Sequence, residues 1–534
     1  MRNAALFAAT AISLFGCADG GDSEDPEDSI FVDDGKADDF FSTSAQEYIL
    51  QGTTSVTLDA AMASRPAAER LAAAKTLISQ KHIALAWFIT QYLVDKEHDA
   101  TNAEFGGMGG MAKAGGYEDL EIRERADKIT FDFKFKQLAA GGKNLMSKLP
   151  VRIAGGLQVF DLEVGKPTNA ELGMLETNSE WYRSAPWTSW NPATVPADKK
   201  ETLTFQISKE RASVDGFFDM ARLTADGKLD IDVYFGWDYH SDYHIKHSKA
   251  FFTWLKAQGF TAPVANWDAL THTAAPFKRT VKADTRDISV EVRMFYGKPG
   301  TAVDPDTDAG GKILEDLAMG SLAQKDVIAY SGHSGPFYGF AIANWKKTSE
   351  GDLDDADIRL APMPRDRYQV VLAEGCDTYQ MGAAFKENPN KLGRNIDVIT
   401  TTSFSDATSP AAVQDFIAAL IARDTTGRLR PQPVSTLLTK LDSESFSFTT
   451  LYGMHGIDDN PKLVPFAKTQ NFGKVCTANA DCGGPGNLCV GATGAKKCTA
   501  ACADTSGCGT GYTCKAVASS STNTIYGRAC AKTN

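Results

Sequence analysis

The chain has 534 residues, with 55 basic and 67 acidic side chains that give a formal charge of −12. Its hydrophobic fraction of 43% and charged fraction of 23% are globular and exclude a collagen-like, fully disordered or polytopic membrane protein. The acidic balance argues against nucleic-acid binding, and the length predicts several domains.

The N-terminus is predicted to be a lipoprotein-type signal peptide, residues 1–16. Arg2 precedes the apolar run Ala4–Phe15, which is too short to span a bilayer. Leu14-Phe15-Gly16-Cys17 resembles a bacterial lipobox, which makes Cys17 the expected lipid attachment site. Phe15 departs from the usual motif, so simple secretion stays open. The expected location is the bacterial cell envelope, at the outer membrane or surface, or the medium.

An acidic linker is expected at 17–39. Ten acids and one lysine between residues 18 and 39 account for −9 of the net charge of −12. Such a like-charged segment repels itself and favours an extended chain. We expect it to hold the folded body away from the membrane.

Two further regions precede the main domain. Residues 40–124 are predicted to be a helical region, because Ala67–Val94 is rich in alanine with apolar residues at helical spacing. Residues 125–227 are predicted to form a small β-rich domain, since Ile129–Phe135 alternates apolar and polar side chains and similar runs follow at 151–153, 157–164 and 202–207. Three tryptophans between these strands are expected to pack in a core: Trp181, Trp187 and Trp190.

From Lys228 onward, predicted strands alternate with predicted helices. This pattern is typical of a mostly parallel sheet with helices on both faces, and we assign it to residues 228–470. In such sheets the chemistry lies beyond the carboxyl ends of the strands. One strand runs into Ser331–Gly335 and another runs into Glu374–Asp377.

A histidine and a cysteine therefore follow two buried strands of one sheet. Cys376 stands apart from the other nine cysteines, and His333 is expected at the same edge. A thiol next to an imidazole is the minimum for covalent acyl transfer, with the histidine moving the proton. Gly332, Gly335 and Gly375 would let a substrate backbone come close and would free main-chain N–H groups for an oxyanion.

The residues at these strand ends resemble a group of cysteine peptidases. Tyr330-Ser-Gly-His333 and Glu374-Gly-Cys376 are similar to the motifs of caspases, legumain, clostripain and gingipains, and the resemblance covers roughly 228–423. It implies a caspase-like α/β domain and an exported cysteine endopeptidase, a hydrolase with His333 and Cys376 as the catalytic dyad. The group's usual His-Gly is His333-Ser334 here. In the group that Gly amide donates to the oxyanion, so the resemblance implies the Ser334 amide as a further oxyanion donor. The departure leaves a catalytically inactive surface binding protein as an alternative.

Glu374 is the candidate for the substrate pocket. It lies two residues before Cys376 and so faces the same side of its strand. By resemblance, an acid there implies cleavage after Lys, Arg or Asn; Asp238 and Asp242 are weaker candidates for the same pocket. The expected partners are a protein or peptide substrate and a membrane reached through the lipid, with no cofactor, no nucleic acid and a monomeric state.

Other groups of residues leave alternatives open. Ser334, Asp406 and His455 have the chain order of a serine hydrolase with Ser334 as nucleophile. Histidines at four- and three-residue spacing would suit zinc, although a polar loop and helix start beside the edge with the candidate site is preferred: His240, His244 and His247. Structural calcium is a further option at two acidic clusters: Asp304, Asp306 and Asp308, and Asp352, Asp354, Asp355 and Asp357.

The C-terminal residues 471–534 are predicted to be a disulfide-rich module. Eight cysteines form two sets that each begin Cys-x5-Cys-Gly: Cys476, Cys482, Cys489 and Cys498, then Cys502, Cys508, Cys514 and Cys530. In an exported chain this pattern favours two units, each with two internal disulfides, over a metal cluster. The sequence thus predicts a multidomain protein in which a helical segment and a small β-rich domain precede a caspase-like α/β domain and a disulfide-rich tail.

Overall fold

The computed structural model describes most of the chain. The described residues are 29–32, 40–98, 121–143, 145–174, 181–188, 190–283, 286–335, 339–391, 394–402, 405–406, 408–423, 427–442, 451–461, 472–482, 487–492, 494–500, 502, 512–521 and 525–532. The predicted signal peptide, Cys17 and Cys508 lie outside these residues. Of the helices described, none is both long and apolar enough to cross a membrane.

A six-stranded antiparallel sheet forms the first domain, with strand order β3-β4-β2-β7-β6-β5. The strand β1 (Ser29–Val32) precedes it and belongs to the tail. The strands of the six-stranded sheet are β2 (Ala45–Thr57), β3 (Arg123–Glu124), β4 (Thr130–Gly142), β5 (Arg152–Ala154), β6 (Leu157–Gly165) and β7 (Lys200–Lys209). The strands expected from alternation in 125–227 are present as β4 to β7.

The region 40–124 differs from its expected helical character. Its long helix α1 (Ala67–His98) exists, but β2 is a central strand of the sheet, paired with β4 along its whole length. Helix α1 packs on that sheet, so both regions share one core. The spacing of apolar residues within α1 predicted that helix from local sequence. The strands that pair with β2 lie more than 70 residues away along the chain, so no local pattern indicated this pairing. Two short helices complete this domain: α2 (Leu145–Lys148) and α3 (Asn169–Leu172).

The three tryptophans pack in this core, as predicted. Trp181, Trp187 and Trp190 are at most 6% exposed. Their rings surround Phe88 of α1 at centroid distances of 5.8, 5.8 and 4.7 Å. Burial of this much aromatic surface stabilises the packing of the helix on the sheet.

The second domain is built on a mixed seven-stranded sheet of order β17-β16-β15-β11-β8-β10-β9. Five neighbouring strands run parallel, and the edge strands β9 and β17 run antiparallel to their neighbours. The strands are β8 (Lys228–Phe235), β9 (Phe277–Lys282), β10 (Asp287–Tyr296), β11 (Val327–Ser331), β15 (Gln369–Glu374), β16 (Ile396–Thr401) and β17 (Tyr452–His455). A small separate sheet contains β12 (Ser334–Gly335), β13 (Gly339–Ala341) and β14 (Asp352–Leu353).

Helices cover both faces of this sheet. One hydrophobic core joins the sheet to α5 (Tyr243–Ala257), α9 (Ala411–Leu420) and α10 (Val434–Asp442). Another joins its opposite face to α6 (Asp308–Gln324), α7 (Asp355–Leu360) and α8 (Tyr379–Glu387). A short helix, α4 (Met220–Leu223), leads into β8. The central strands bury apolar side chains on both faces, because a helical layer lies over each.

The two domains are in direct contact. Phe41 and Met454 exchange backbone hydrogen bonds of 2.9 and 2.8 Å, which extends the edge strand β17. The buried Tyr379 donates its hydroxyl proton to the buried Glu47 of β2 over 2.5 Å. The first domain therefore lies against α8, the helix that follows Cys376.

The tail is disulfide-rich, as predicted. Disulfides join Cys476 to Cys489, Cys482 to Cys498 and Cys502 to Cys514, and Cys530 is also oxidised. Its strands are β18 (Asn487–Val490), β19 (Lys497–Ala500), β20 (Tyr512–Ser519) and β21 (Ile525–Lys532). The predicted linker also contributes, since β1 pairs with β20. Such disulfides indicate an oxidising compartment outside the cytoplasm.

Candidate active site

Three neighbouring parallel strands end at one edge of the large sheet. Asp238 is the third residue after the end of β8, His333 is the second residue after β11, and Cys376 is the second residue after β15. In the observed register, the last residue of β11 lies beside Phe235 of β8 and Glu374 of β15. Because neighbouring strands lie about 4.8 Å apart, the three residues follow adjacent strands at one edge of the sheet.

His333 is hydrogen-bonded to Asp238. The distance from His333 Nε2 to Asp238 Oδ1 is 2.8 Å. The other carboxylate oxygen of Asp238 accepts backbone N–H groups of His240, Ser241 and Tyr243 at 3.1, 2.7 and 3.2 Å. Burial by itself would raise the pKa of Asp238, but these hydrogen bonds outweigh it and hold the pKa below its ordinary value. Asp238 was expected to line the substrate pocket with Glu374; it lines the same cleft as Glu374 and is in addition the hydrogen-bond partner of His333.

The protonation state of His333 follows from this contact. Burial lowers the pKa of His333, and the hydrogen bond to Asp238 offsets part of that effect, so the ring is neutral at pH 7. A carboxylate only accepts hydrogen bonds, so Nε2 of His333 carries the proton of the neutral ring. Nδ1 has no proton and can accept one. The ring of Tyr239 stacks on the imidazole at 4.5 Å and restricts its orientation.

Hydrogen bonds to the backbone fix the turn that carries Cys376. Thr378 donates its hydroxyl to the Ala373 carbonyl at 2.6 Å, and Thr401 donates to the Gly375 carbonyl. Among the described cysteines, Cys376 is the one that keeps its thiol, and its side chain is partly exposed. A thiol in this state is accessible for chemistry.

Ser334 also acts on this turn. Its buried hydroxyl donates to the Cys376 carbonyl at 2.8 Å. A Cβ on Gly375 would lie 2.1 Å from Ser334 Oγ, so only glycine fits there. Ser334 and Gly335 form the strand β12, which pairs with β13, so the backbone at the candidate oxyanion positions has a defined conformation.

The serine-hydrolase alternative gains no support from these contacts. The Ser334 hydroxyl is directed at a backbone carbonyl, whereas a nucleophilic serine needs a histidine as its hydrogen-bond partner. His455 lies elsewhere, with its ring 4.9 Å from Phe40 and 5.0 Å from Tyr379. Asp406 accepts hydrogen bonds from Thr408. The three residues of that proposed triad are thus engaged in separate contacts.

Glu374 lies at the bottom of a polar cleft beside His333. It is 3% exposed, and burial raises its pKa to about 7 although Ser331 and Ser405 donate hydrogen bonds to it. The enclosed space in this cleft has a volume of about 20 Å³. Asp242 does not line it: this residue is exposed and precedes α5 in a left-handed conformation.

The candidate metal ligands do not form a site among the described residues. Only Cys476, Cys482 and Cys498 bring three ligand atoms within 4.8 Å of one another, and these are disulfide-bonded. His240 precedes α5 and does not share a helix face with His244 and His247. The aspartates considered for calcium have structural contacts: Asp306 with Asn344 and Lys347, Asp308 with Thr348, and Asp354 and Asp357 in the capping box of α7.

Sequence reasoning missed several residues of this site. The pairing of Asp238 with His333 could have been found, because Asp238 follows a third strand at the same edge. Tyr239 gives no such signal, since stacking depends on how the loop after β8 folds. His244 and His247 were expected at a polar loop and helix start beside this edge; they lie in the first turns of α5, are 3% and 7% exposed, and line the cleft of Glu374.

No protein-family model, no curated protein and no solved structure matches this chain.

Proposed function

We propose that this protein is an exported cysteine endopeptidase with Cys376 as nucleophile and His333 as general base. The observation that carries the proposal is the arrangement of three adjacent parallel strands, each followed within three residues by Asp238, His333 or Cys376. Nucleophile, base and orienting acid are the minimum for covalent acyl transfer. We also propose that the fold is caspase-like. The mixed sheet with helices on both faces and the motifs at its strand ends support this proposal.

The proposed mechanism uses the neutral His333. Nδ1 accepts the proton of the Cys376 thiol, and the thiolate attacks the peptide carbonyl carbon to form a tetrahedral intermediate. The imidazolium returns the proton to the leaving amine as the C–N bond breaks. A water molecule then gives a proton to Nδ1 and attacks the thioester carbon. The C–S bond breaks, the acid product leaves, and the imidazolium returns its proton to the Cys376 thiolate. Asp238 holds Nε2–H throughout and stabilises the imidazolium, because its carboxylate is ionised.

The oxyanion of the intermediate requires nearby N–H donors. We propose that backbone N–H groups at Ser334, Gly335 and Gly375 supply them. In this proposal Ser334, which replaces the usual glycine after the histidine, has a structural role. Its hydroxyl group donates a hydrogen bond to the Cys376 carbonyl. It fixes the peptide of the nucleophile in place.

Glu374 supports a preference for a basic or amide side chain at the residue before the cut. Its carboxyl group lies in the cleft next to His333, where the substrate side chain would enter. A buried carboxyl group favours a cationic or hydrogen-bond-donating partner and disfavours an acid. The substrate would be a protein or peptide outside the cytoplasm, with the enzyme held at the cell envelope through a lipid on Cys17.

The decisive experiment is peptide cleavage by purified wild-type protein and by the variants Cys376→Ala and His333→Ala. Loss of either member of the dyad should reduce kcat/KM by about 10⁴-fold or more. The control is His272→Ala, a change of a histidine in the same domain that takes part in none of the contacts above. Iodoacetamide should label Cys376 in the wild type. Cleavage that persists in Cys376→Ala would disprove the proposal, as would the absence of any peptidase activity in a folded wild type.

A further inference from the structure

A small surface of two aromatic rings and one cation adjoins His333 outside the cleft that contains Glu374. It consists of Tyr239, Trp345 and Lys346, none of which lines that cleft. Tyr239 is 44% exposed, although its ring stacks on the His333 imidazole at 4.5 Å with 22° between the two planes. Partly exposed aromatic rings of this kind are typical of surfaces that contact another molecule.

Lys346 brings a positive charge to this surface. Its Nζ lies 4.0 Å from the centroid of the Tyr239 ring and 5.2 Å from that of the Trp345 ring. The two rings meet edge to face at 6.4 Å. A cation over an aromatic face is attracted by the electron density of the ring, so these contacts restrict where the ammonium group lies.

The neighbouring lysine has a different environment. Lys347 is paired with Asp306 at 2.5 Å, and Asn344 donates to the same carboxylate at 2.6 Å, which anchors the loop between them. Lys346 is exposed, and among the described residues no carboxylate forms an ion pair with it. An anchored loop thus carries one lysine whose charge is compensated and one whose charge is available to a ligand.

The charges of this surface and of the dyad influence one another. Burial is the main cause of the lowered pKa of His333, and the positive charge of Lys346 lowers it further. Burial is also the main cause of the raised pKa of Tyr239, and the charges of Cys376 and Asp238 add to it. The surface therefore lies close enough to the dyad to contact a substrate whose peptide bond is held there.

The position of the surface identifies the substrate residue that it would contact. In the proposed mechanism His333 returns a proton to the leaving amine, so that nitrogen must lie within hydrogen-bond reach of Nδ1. The nitrogen belongs to the residue after the cut, which therefore lies beside His333 and the Tyr239 ring stacked on it. The cleft of Glu374 takes the side chain before the cut, so the two sites serve opposite sides of the scissile bond.

We propose that Lys346, together with the rings of Tyr239 and Trp345, binds a carboxylate of the substrate residue after the cut. The carboxylate accepts hydrogen bonds from the Lys346 ammonium group, and the carbon atoms of the same residue pack on the Tyr239 ring. The carboxylate is the side chain of Asp or Glu, or the chain-terminal carboxylate of a substrate whose last residue follows the cut. This inference rests on the proposed peptidase activity and adds the substrate preference on the leaving side.

Opposite charges on the two sides of the cut also fix the direction in which the substrate chain lies. A chain bound the other way round would place its carboxylate next to Glu374, and such a contact between acids is penalised. We expect kcat/KM with Asp after the cut to exceed that with Asn by about three- to tenfold, because Lys346 is only partly shielded from solvent.

The test uses internally quenched peptides that differ only in having Asp, Asn or Lys after the cut. All have an amidated C-terminus and the same residue before the cut, the best cleaved of Lys, Arg and Asn. A second pair ends at an Asn directly after the cut, once with a free carboxylate and once amidated, which distinguishes the two sources of the carboxylate. The full-length wild type is compared with Lys346→Gln, Lys346→Glu and the matched control Lys347→Gln, which removes the ion-paired lysine.

The wild type should prefer Asp over Asn, or the free over the amidated terminus, by about three- to tenfold. This ratio should approach one in Lys346→Gln, and Lys346→Glu should prefer the peptide with Lys after the cut. Lys347→Gln should change the ratio by about twofold or less, since its charge is compensated and more distant.

Two wild-type ratios near one overturn this inference and leave the peptidase proposal standing. A ratio that persists in Lys346→Gln, or that falls as much in Lys347→Gln, overturns it as well. A wild type that cleaves none of the peptides overturns the proposed function, and this inference with it.

Discussion

Replacing Glu374 by glutamine should stabilise the protein at alkaline pH much more than at acid pH. Glu374 is buried, and burial raises its pKa from 4.5 to about 7. A carboxyl group whose pKa is raised in the folded state contributes stability below its unfolded pKa and loses that contribution as the pH rises through its folded pKa. Glutamine keeps the shape of the side chain and does not ionise.

The magnitude follows from the two pKa values. The difference between 4.5 and about 7 corresponds to about 3 kcal/mol, at about 1.4 kcal/mol for each tenfold change in the ionisation constant. The free energy of unfolding of the wild type should therefore fall, through this group, by about 3 kcal/mol between pH 4.5 and pH 7 and change little above. In thermal unfolding of the second domain this corresponds to roughly 6–12 °C.

The assay is thermal unfolding of the wild type and Glu374→Gln at pH 4 and pH 8.5. The matched control is Asp316→Asn, a carboxyl group in the same domain whose side chain is 65% exposed. The difference between wild type and Glu374→Gln should grow from pH 4 to pH 8.5, whereas the control should show a small difference at both. An equal difference at both pH values would refute the reasoning, because it would mean that Glu374 ionises in the folded state as readily as in the unfolded chain.

The remaining predictions concern the groups around the dyad. Asp238→Asn should lower kcat by about 10²–10⁴-fold with little change in KM, since the amide cannot hold the Nε2–H tautomer of His333; an unchanged kcat would contradict the assigned role. Ser334→Ala should reduce kcat by about tenfold or less, because it removes one hydrogen bond to the Cys376 carbonyl, and a complete loss would revive Ser334 as nucleophile. Thiol titration of the denatured, mature protein should find one thiol, at Cys376; more than two would contradict the oxidised tail.

Glu374 illustrates a general relation between stability and function. A carboxyl group whose pKa is raised by burial destabilises the folded state at neutral pH. Its presence therefore needs an explanation other than folding stability. The proposed role of Glu374 in the cleft beside His333 supplies one.

The sequence by itself determined the local features of this protein. Alternating side chains predicted β4 to β7, and the alternation of strands and helices predicted a largely parallel sheet covered on both faces. Cysteine spacing predicted the oxidised tail, in which the first set pairs internally. Each of these follows from short-range periodicity or spacing, which the chain carries without its tertiary structure. The rule that chemistry follows the carboxyl ends of parallel strands also placed His333 and Cys376 at one edge.

Only the tertiary structure decided how distant segments combine. The region 40–124 was expected to be helical, yet β2 pairs with β4 and β7 and becomes central to the first sheet. Strand pairing depends on partners far along the chain, which no local pattern reveals. The same holds for the contact of Glu47 with Tyr379, which places the first domain against the helix after Cys376.

The roles of the acids at the site were also decided in three dimensions. Asp238 and Glu374 have the same chemistry and comparable positions after or at the end of a strand. Asp238 accepts hydrogen bonds from three backbone N–H groups and from the His333 ring, so it stays ionised and orients the histidine. Glu374 receives hydrogen bonds from Ser331 and Ser405 but is buried more deeply, so its pKa rises instead. The sequence names two carboxyl groups, whereas the desolvation and hydrogen bonding that separate their roles exist only in the folded chain.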